Sequence, residues 1–100
     1  MSEFDEYPVD RLRFEYERRQ NEVSNLQQEL SDLKREESQT LVNWERARDA
    51  TYLRRMSDVD QEFRVKLHEI ESKTERVKQR MNILRTEMEA IVQVLNVKWK

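Results

Sequence analysis

The chain has 100 residues, of which 40% are charged and 36% are hydrophobic, and its formal net charge at pH 7 is −2. This length allows one domain, and an apolar fraction below the roughly 45–50% of globular proteins excludes a thick multilayered core. The absence of cysteine excludes disulfides and thiolate metal sites, and the absence of glycine excludes glycine-rich phosphate loops.

Residues 1–8 are predicted to form an acidic flexible arm. Pro8 then suits the first turn of a helix, where its missing N–H has no partner to lose, and Asp10 favours the positive end of the helix dipole. The acidic start lacks the basic and apolar regions of a secretory signal. We therefore expect a cytoplasmic location, with the nucleus or a virion interior as alternatives.

A first apolar seam covers residues 9–33, with intervals that alternate between three and four as in a coiled coil. Its members are Val9, Leu12, Tyr16, Val23, Leu26, Leu30 and Leu33. Arg19 is the one charged residue at a seam position.

Residues 36–52 are predicted to shift the phase of the seam. Leu30, Leu41, Tyr52 and Phe63 are spaced by eleven, a repeat that allows a helix to continue without a break. The alternative is a loop that turns the chain back near residue 50. Since loops usually contain glycine or proline, the composition favours the unbroken helix.

A second seam covers residues 53–95, with Asp60 as its badly placed member. Its apolar members beyond that point are Phe63, Leu67, Ile70, Val77, Met81, Leu84, Met88, Ile91 and Leu95. The two seams together define a coiled-coil region at 9–98.

Charge predicts that the two seams pair antiparallel. Residues 1–50 carry 13 acidic and 8 basic side chains, whereas residues 51–100 carry 8 and 11. An antiparallel alignment opposes Val9 to Ile91 and Trp44 to Met56. It also creates three ion pairs, Glu22 with Arg80, Glu29 with Lys73 and Glu36 with Lys66, and one repulsive pair, Glu15 with Glu87.

Two all-α architectures share this pairing. The first is a long coiled-coil helix that forms an antiparallel homodimer, and the sequence favours it because turn residues are absent. The alternative is a monomeric antiparallel helical hairpin with its tip near residue 50, which could assemble further into a four-helix bundle.

Candidate partner-binding residues lie outside the seams or near the phase shift. The C-terminal stretch is apolar on several faces, which indicates either a buried helix or a β-branched tail that leaves the helix. The candidates are Val92, Val94, Val97, Trp99, Trp44 and Tyr52.

No pattern of catalytic, cofactor-binding or metal-binding residues is present in the sequence. His68, the one histidine, falls at a solvent-facing position of the repeat. We therefore predict a protein that is not an enzyme and binds no cofactor.

The predicted function is that of a coiled-coil scaffold, spacer or adapter subunit, which associates with itself and with another protein. One alternative is a small helical regulator or chaperone of a single partner. A second is nucleic-acid association through the basic stretch 64–85, which the sequence pI of about 5.5 disfavours. No apolar run reaches the roughly 18 residues of a membrane span.

Overall fold

The computed structural model describes residues 3–50 and 56–98, and of Ala50, Met56 and Ser57 it describes the backbone alone. A short 3-10 helix, Glu3–Glu6, precedes two long helices, α1 (Val9–Ala50) and α2 (Met56–Lys98). The all-α prediction is therefore confirmed for the described part of the chain.

Local sequence explains why both helices are long. Neither contains glycine, and the single proline, Pro8, stands directly before α1. Asp10 and Asp58 lie in the first turns, while Arg48 and Lys98 lie in the last turns, so each charge complements the helix dipole.

The two helices of one chain pack as a hairpin. This is the arrangement that the sequence offered as an alternative, and the favoured single unbroken helix is not what the described residues form. The absence of turn residues misled the prediction, since pairing the two seams within one chain covers both apolar faces without a second chain. Leu53 and the rest of 51–55 lie outside the described residues.

The chain divides into two compact units, each containing a part of both helices. The terminal unit comprises residues 1–28 and 78–100, and the central unit comprises residues 29–77. All of the apolar seam residues listed above from Val9 to Leu33 and from Phe63 to Leu95 are buried or half-buried. The seams thus form the packed face of the hairpin itself, and their role in joining two chains stays a prediction.

The terminal unit has its core beside the chain's N-terminus. Phe4, Leu12, Ile91 and Val94 form a buried cluster. The half-buried residues packed against it are Tyr7, Tyr16, Ala90 and Leu95. Ile91 belongs to this cluster with Leu12, whereas the alignment had opposed Ile91 to Val9.

Residues 3–8 correct the prediction of a flexible acidic arm. Phe4 is only 4% exposed, and its ring meets that of Tyr7 edge to face, with the centroids 5.7 Å apart. The Tyr7 amide donates to the Phe4 carbonyl, which closes the 3-10 turn. The acidic composition concealed an apolar anchor, and burial of its ring offsets part of the cost of ordering the segment.

In the central unit, Leu33 and Ile70 are buried on the packed face, as is Thr40. Thr40 keeps its hydroxyl satisfied by donating to the Glu36 carbonyl at 2.7 Å. Leu41, which the eleven-residue spacing placed in line with the seam, is 44% exposed. The packed face of α1 thus continues from Leu33 to Thr40 by a heptad step, whereas the end of the phase shift predicted for residues 36–52 lies outside the described residues.

Candidate interaction surfaces

An open groove lies on the surface of the terminal unit, outside the hairpin's own core. It has a volume of about 420 Å³ and is lined by Tyr16, Arg85, Met88, Glu89, Val92 and Gln93. Five of these residues lie at positions 85, 88, 89, 92 and 93 of α2. Each has a neighbour three or four positions away in this set, so the five share one face of the helix. We call this feature the outer groove. Val92, a predicted partner-binding residue, is 40% exposed there.

The other predicted residues of the C-terminal stretch have different environments. Helix α2 continues to Lys98, so the alternative of a tail that leaves the helix is wrong for the described residues. Val94 is buried in the core against Phe4, whereas Val97 is 74% exposed. Trp99 lies outside the described residues.

Arg19, the charged residue in the first seam, is buried between two carboxylates. Its guanidinium donates to Glu15 Oε2 at 2.6 Å and to Glu87 Oε1 at 3.4 Å. Glu15 and Glu87 are the pair whose approach was expected to be repulsive. Arg19 therefore lies where its charge offsets that repulsion, and the three side chains, the Arg19 cluster, form one polar contact between the helices.

The Arg19 cluster changes the acidity of its members. Hydrogen bonding from Arg19, assisted by the charge of Arg18, holds the pKa of Glu15 below its ordinary value of 4.5 despite desolvation. Desolvation opposes ionisation of Arg19, yet the hydrogen bonds and charges of Glu15 and Glu87 raise its pKa above its ordinary value. Glu15 and Arg19 are therefore both ionised throughout the neutral pH range.

The basic stretch 64–85 is partly engaged within the hairpin. Arg80 pairs with Glu22 at 3.0 Å, as the antiparallel alignment predicted. Lys66 instead lies over the ring of Phe63, with its ammonium 5.3 Å from the centroid. Glu36 with Lys66 and Glu29 with Lys73 are not among the ion pairs of the described residues. These contacts do not favour the reading of the stretch as a nucleic-acid surface.

Trp44 contacts α2 rather than standing free for a partner. Its indole Nε1 donates to Asp60 Oδ1 at 2.7 Å, and its ring stacks on Phe63 with the centroids 6.0 Å apart. Arg48 lies over the indole at 4.7 Å and reaches the same carboxylate at 3.5 Å. We call these four residues the Trp44 cluster.

The Trp44 cluster explains why Asp60 is tolerated on the packed face. The indole hydrogen bond, assisted by Arg48 and the charge of Arg64, lowers the pKa of Asp60 below its ordinary value of 3.8. The predicted opposition of Trp44 to Met56 is not tested, because the Met56 side chain lies outside the described part of the chain. Tyr52, proposed with Trp44 as a contact residue, also lies outside the described residues.

The described residues show no site for a bound ion. His68 is exposed, as its position in the repeat predicted. Within residues 3–50 and 56–98, no group of three His, Asp or Glu side chains could hold a metal ion. Neither helix has a described stretch that combines the length and apolarity needed to cross a membrane.

Two groups of residues were missed at the level of sequence. Phe4 was not proposed as a contact residue, although the two aromatic residues Phe4 and Tyr7 in an otherwise acidic stretch are a signal of docking. Phe14 and Ile83 were not singled out either, and they are exposed on the surface of the terminal unit.

Comparison of the chain with protein-family models, curated proteins and solved structures gave no significant match.

Proposed function

We propose that this chain is a non-enzymatic helical hairpin that acts by oligomerisation and by binding another protein, as a scaffold, spacer or adapter subunit. The observation that carries the proposal is the outer groove, in which Tyr16, Met88 and Val92 leave apolar surface uncovered after α1 and α2 have packed. Exposed apolar surface rimmed by charged side chains is a feature that protein interaction sites share.

A second copy of the same chain is the occupant that the charges of the outer groove favour. Arg85 and Glu89 lie four residues apart on its α2 wall. If a twofold axis pairs α2 of one chain antiparallel with α2 of another, Arg85 of each chain can face Glu89 of its partner. The rim is thus self-complementary in charge around the apolar centre provided by Met88 and Val92, and such a pair of hairpins would be a four-helix assembly.

The test is the absolute mass in solution, measured by light scattering over a concentration series. We expect the wild-type chain to exceed the monomer mass of 12.4 kDa as concentration rises. Val92→Glu should weaken this association at least about tenfold, because it places a charge in the apolar part of an interface.

Val65→Glu is the matched control. Val65 is 47% exposed on the same helix, close to the 40% of Val92, but it does not line the outer groove. If the two substitutions weakened association equally, the outer groove would not be the surface through which the chains associate. A wild-type chain that stays monomeric at every concentration would instead favour the alternative of a small regulator that binds one partner protein.

A further inference from the structure

The N-terminal segment, residues 3–8, is seated on the terminal unit in the way that a peptide ligand sits on a receptor. Phe4 is the anchor, since its side chain is buried against Leu12 of α1 and against Ile91 and Val94 of α2. A single aromatic side chain inserted between two helices is a common means of peptide recognition.

Cations of both helices surround this segment. The guanidinium of Arg19 lies over the Phe4 ring at 5.3 Å, and that of Arg11 lies over the Tyr7 ring at 4.3 Å. At the end of α2, the ammonium of Lys98 donates to the Tyr7 carbonyl. Aromatic rings and a backbone carbonyl are thus both held by positive groups.

The charge of the segment is opposite to that of the three cations that contact it. Glu3, Asp5 and Glu6 make the segment acidic, whereas the groups that approach its two rings and its backbone are basic. A segment of this kind is attracted before it docks, and burial of the phenyl ring then holds it in place.

The segment leaves part of the surface beneath it uncovered. A groove of about 480 Å³ continues beside Asp5, lined by Asp5, Ala90, Gln93, Val94, Val97 and Lys98. Val97 is among the most exposed apolar side chains of the described residues. A longer ligand could therefore make contacts with Val97 that the chain's own segment does not make.

From these contacts we infer that this face of the terminal unit is a binding site for an acidic peptide of another protein, anchored by phenylalanine with a tyrosine three residues later. The N-terminal segment occupies the site within the chain and competes with that peptide. The inference names a partner chemistry for the protein binding proposed above, but it does not depend on the outer groove or on oligomerisation.

Competition within one chain has a measurable consequence. A tethered segment acts at an effective concentration on the order of millimolar, so a peptide of equal intrinsic affinity binds poorly until the segment is weakened. Phe4→Ala removes the anchor of the segment and leaves every α1 and α2 residue of the site in place.

The experiment uses a synthetic peptide of residues 1–8 with a fluorophore at its C-terminus, titrated with full-length chains and followed by anisotropy. We expect saturable binding to the Phe4→Ala chain and at least about tenfold weaker binding to the wild-type chain. Binding should weaken as salt is added, because the acidic peptide is attracted to the charges of Arg11 and Lys98.

The matched control is the same peptide carrying Phe4→Ala, which should bind the Phe4→Ala chain at least about tenfold more weakly than the wild-type peptide, since burial of the ring provides the anchor. Circular dichroism checks that the variant chain keeps its helices. If that chain does not fold, Tyr7→Ala takes its place, because it loosens the segment but leaves Arg11, Arg19 and Lys98 available.

Absence of binding to a folded variant chain, or equal binding of the two peptides, would overturn the inference. So would equal affinity of the peptide for the wild-type and variant chains, because the segment would then not compete. Each of these results leaves the light-scattering test of oligomerisation unaffected, so failure of one proposal is distinguishable from failure of the other.

Discussion

At the scale of single residues, charged groups on the packed face compensate one another. Arg19 interrupts an apolar seam, and Glu15 and Glu87 would repel one another across the helix pair. Arg19 bonds to both carboxylates. Its positive charge therefore offsets their repulsion, and their negative charges offset the cost of burying Arg19. Such a contact is costly to break from one side, because a buried charge is then left without its partner.

Arg19→Met should destabilise the hairpin. Methionine retains an apolar side chain of similar length but leaves Glu15 and Glu87 without their shared cation, and we expect a loss of about 1–3 kcal/mol in the free energy of unfolding. Urea unfolding followed by circular dichroism measures the change. Arg18→Met is the control, because Arg18 pairs with Glu15 on the exposed surface and such pairs contribute at most about 1 kcal/mol.

The effect of Arg19→Met should also depend on pH. Since Arg19 lowers the pKa of Glu15 in the folded chain, the stability that this carboxylate contributes is present above its unfolded pKa near 4.5 and is lost as pH falls through the folded pKa. The gap in stability between wild type and variant should therefore narrow on acidification. A gap that stays constant from neutral pH to below 4 would contradict this role of Glu15.

The fluorescence of Trp44 can test its hydrogen bond to Asp60. In a Trp99→Phe background, acidification should change Trp44 emission with a midpoint below 3.8, because the indole hydrogen bond keeps the Asp60 carboxylate ionised to lower pH. Arg48→Gln should raise that midpoint, because it removes the guanidinium that also stabilises the ionised Asp60 carboxylate. A midpoint at or above 3.8 in the parent protein would argue against the indole–carboxylate bond.

At the scale of helices, burial decides which of two repeats α1 follows. The sequence allowed an eleven-residue repeat through Leu41, whereas the structure continues the heptad from Leu33 to Thr40, Trp44 and Ala47. A threonine can occupy the packed face because its hydroxyl is satisfied by the preceding helical turn. The apolar character of a side chain was therefore a poorer guide to its burial than its position in the heptad repeat.

Two alanine substitutions distinguish these repeats. Leu33 is 6% exposed and Leu41 is 44% exposed, so Leu33→Ala should cost about 2–4 kcal/mol and Leu41→Ala less than about 1 kcal/mol. Urea unfolding monitored by circular dichroism compares the two variants directly. Similar losses would indicate that Leu41 is packed against another surface in solution.

At the scale of the molecule, each chain supplies both helices of its antiparallel pair. A long amphipathic helix is marginal alone because its stability comes from packing one face, and the hairpin provides that packing without a second chain. Association through the outer groove would then add to a structure that is already folded.

Val92→Glu should therefore remain helical as a monomer, and its unfolding midpoint should not depend on protein concentration. A midpoint that rises with concentration is expected when folding requires association. Circular dichroism melts at several concentrations, combined with light scattering, measure both properties. Loss of helix on dilution would show that the seams of α1 and α2 pair between chains.

The sequence predicted the helices and their packed faces better than it predicted which residues contact one another. The three-and-four spacing located the packed residues from Val9 to Leu95, and the charge asymmetry anticipated the Glu22–Arg80 pair. The three-and-four spacing is a local property of the sequence, so it could be recognised without the structure. The burial of Phe4 depends on residues nearly ninety positions away, and no local pattern contains that information.

By itself the sequence determined that the chain is helical, which face of each helix is packed and that the faces pair antiparallel, because these follow from spacing and charge along one helix. Tertiary structure decided that one chain provides both helices, that Arg19 and Asp60 are satisfied, and that Phe4 is buried. Each of those outcomes depends on side chains that meet only when distant segments are brought together.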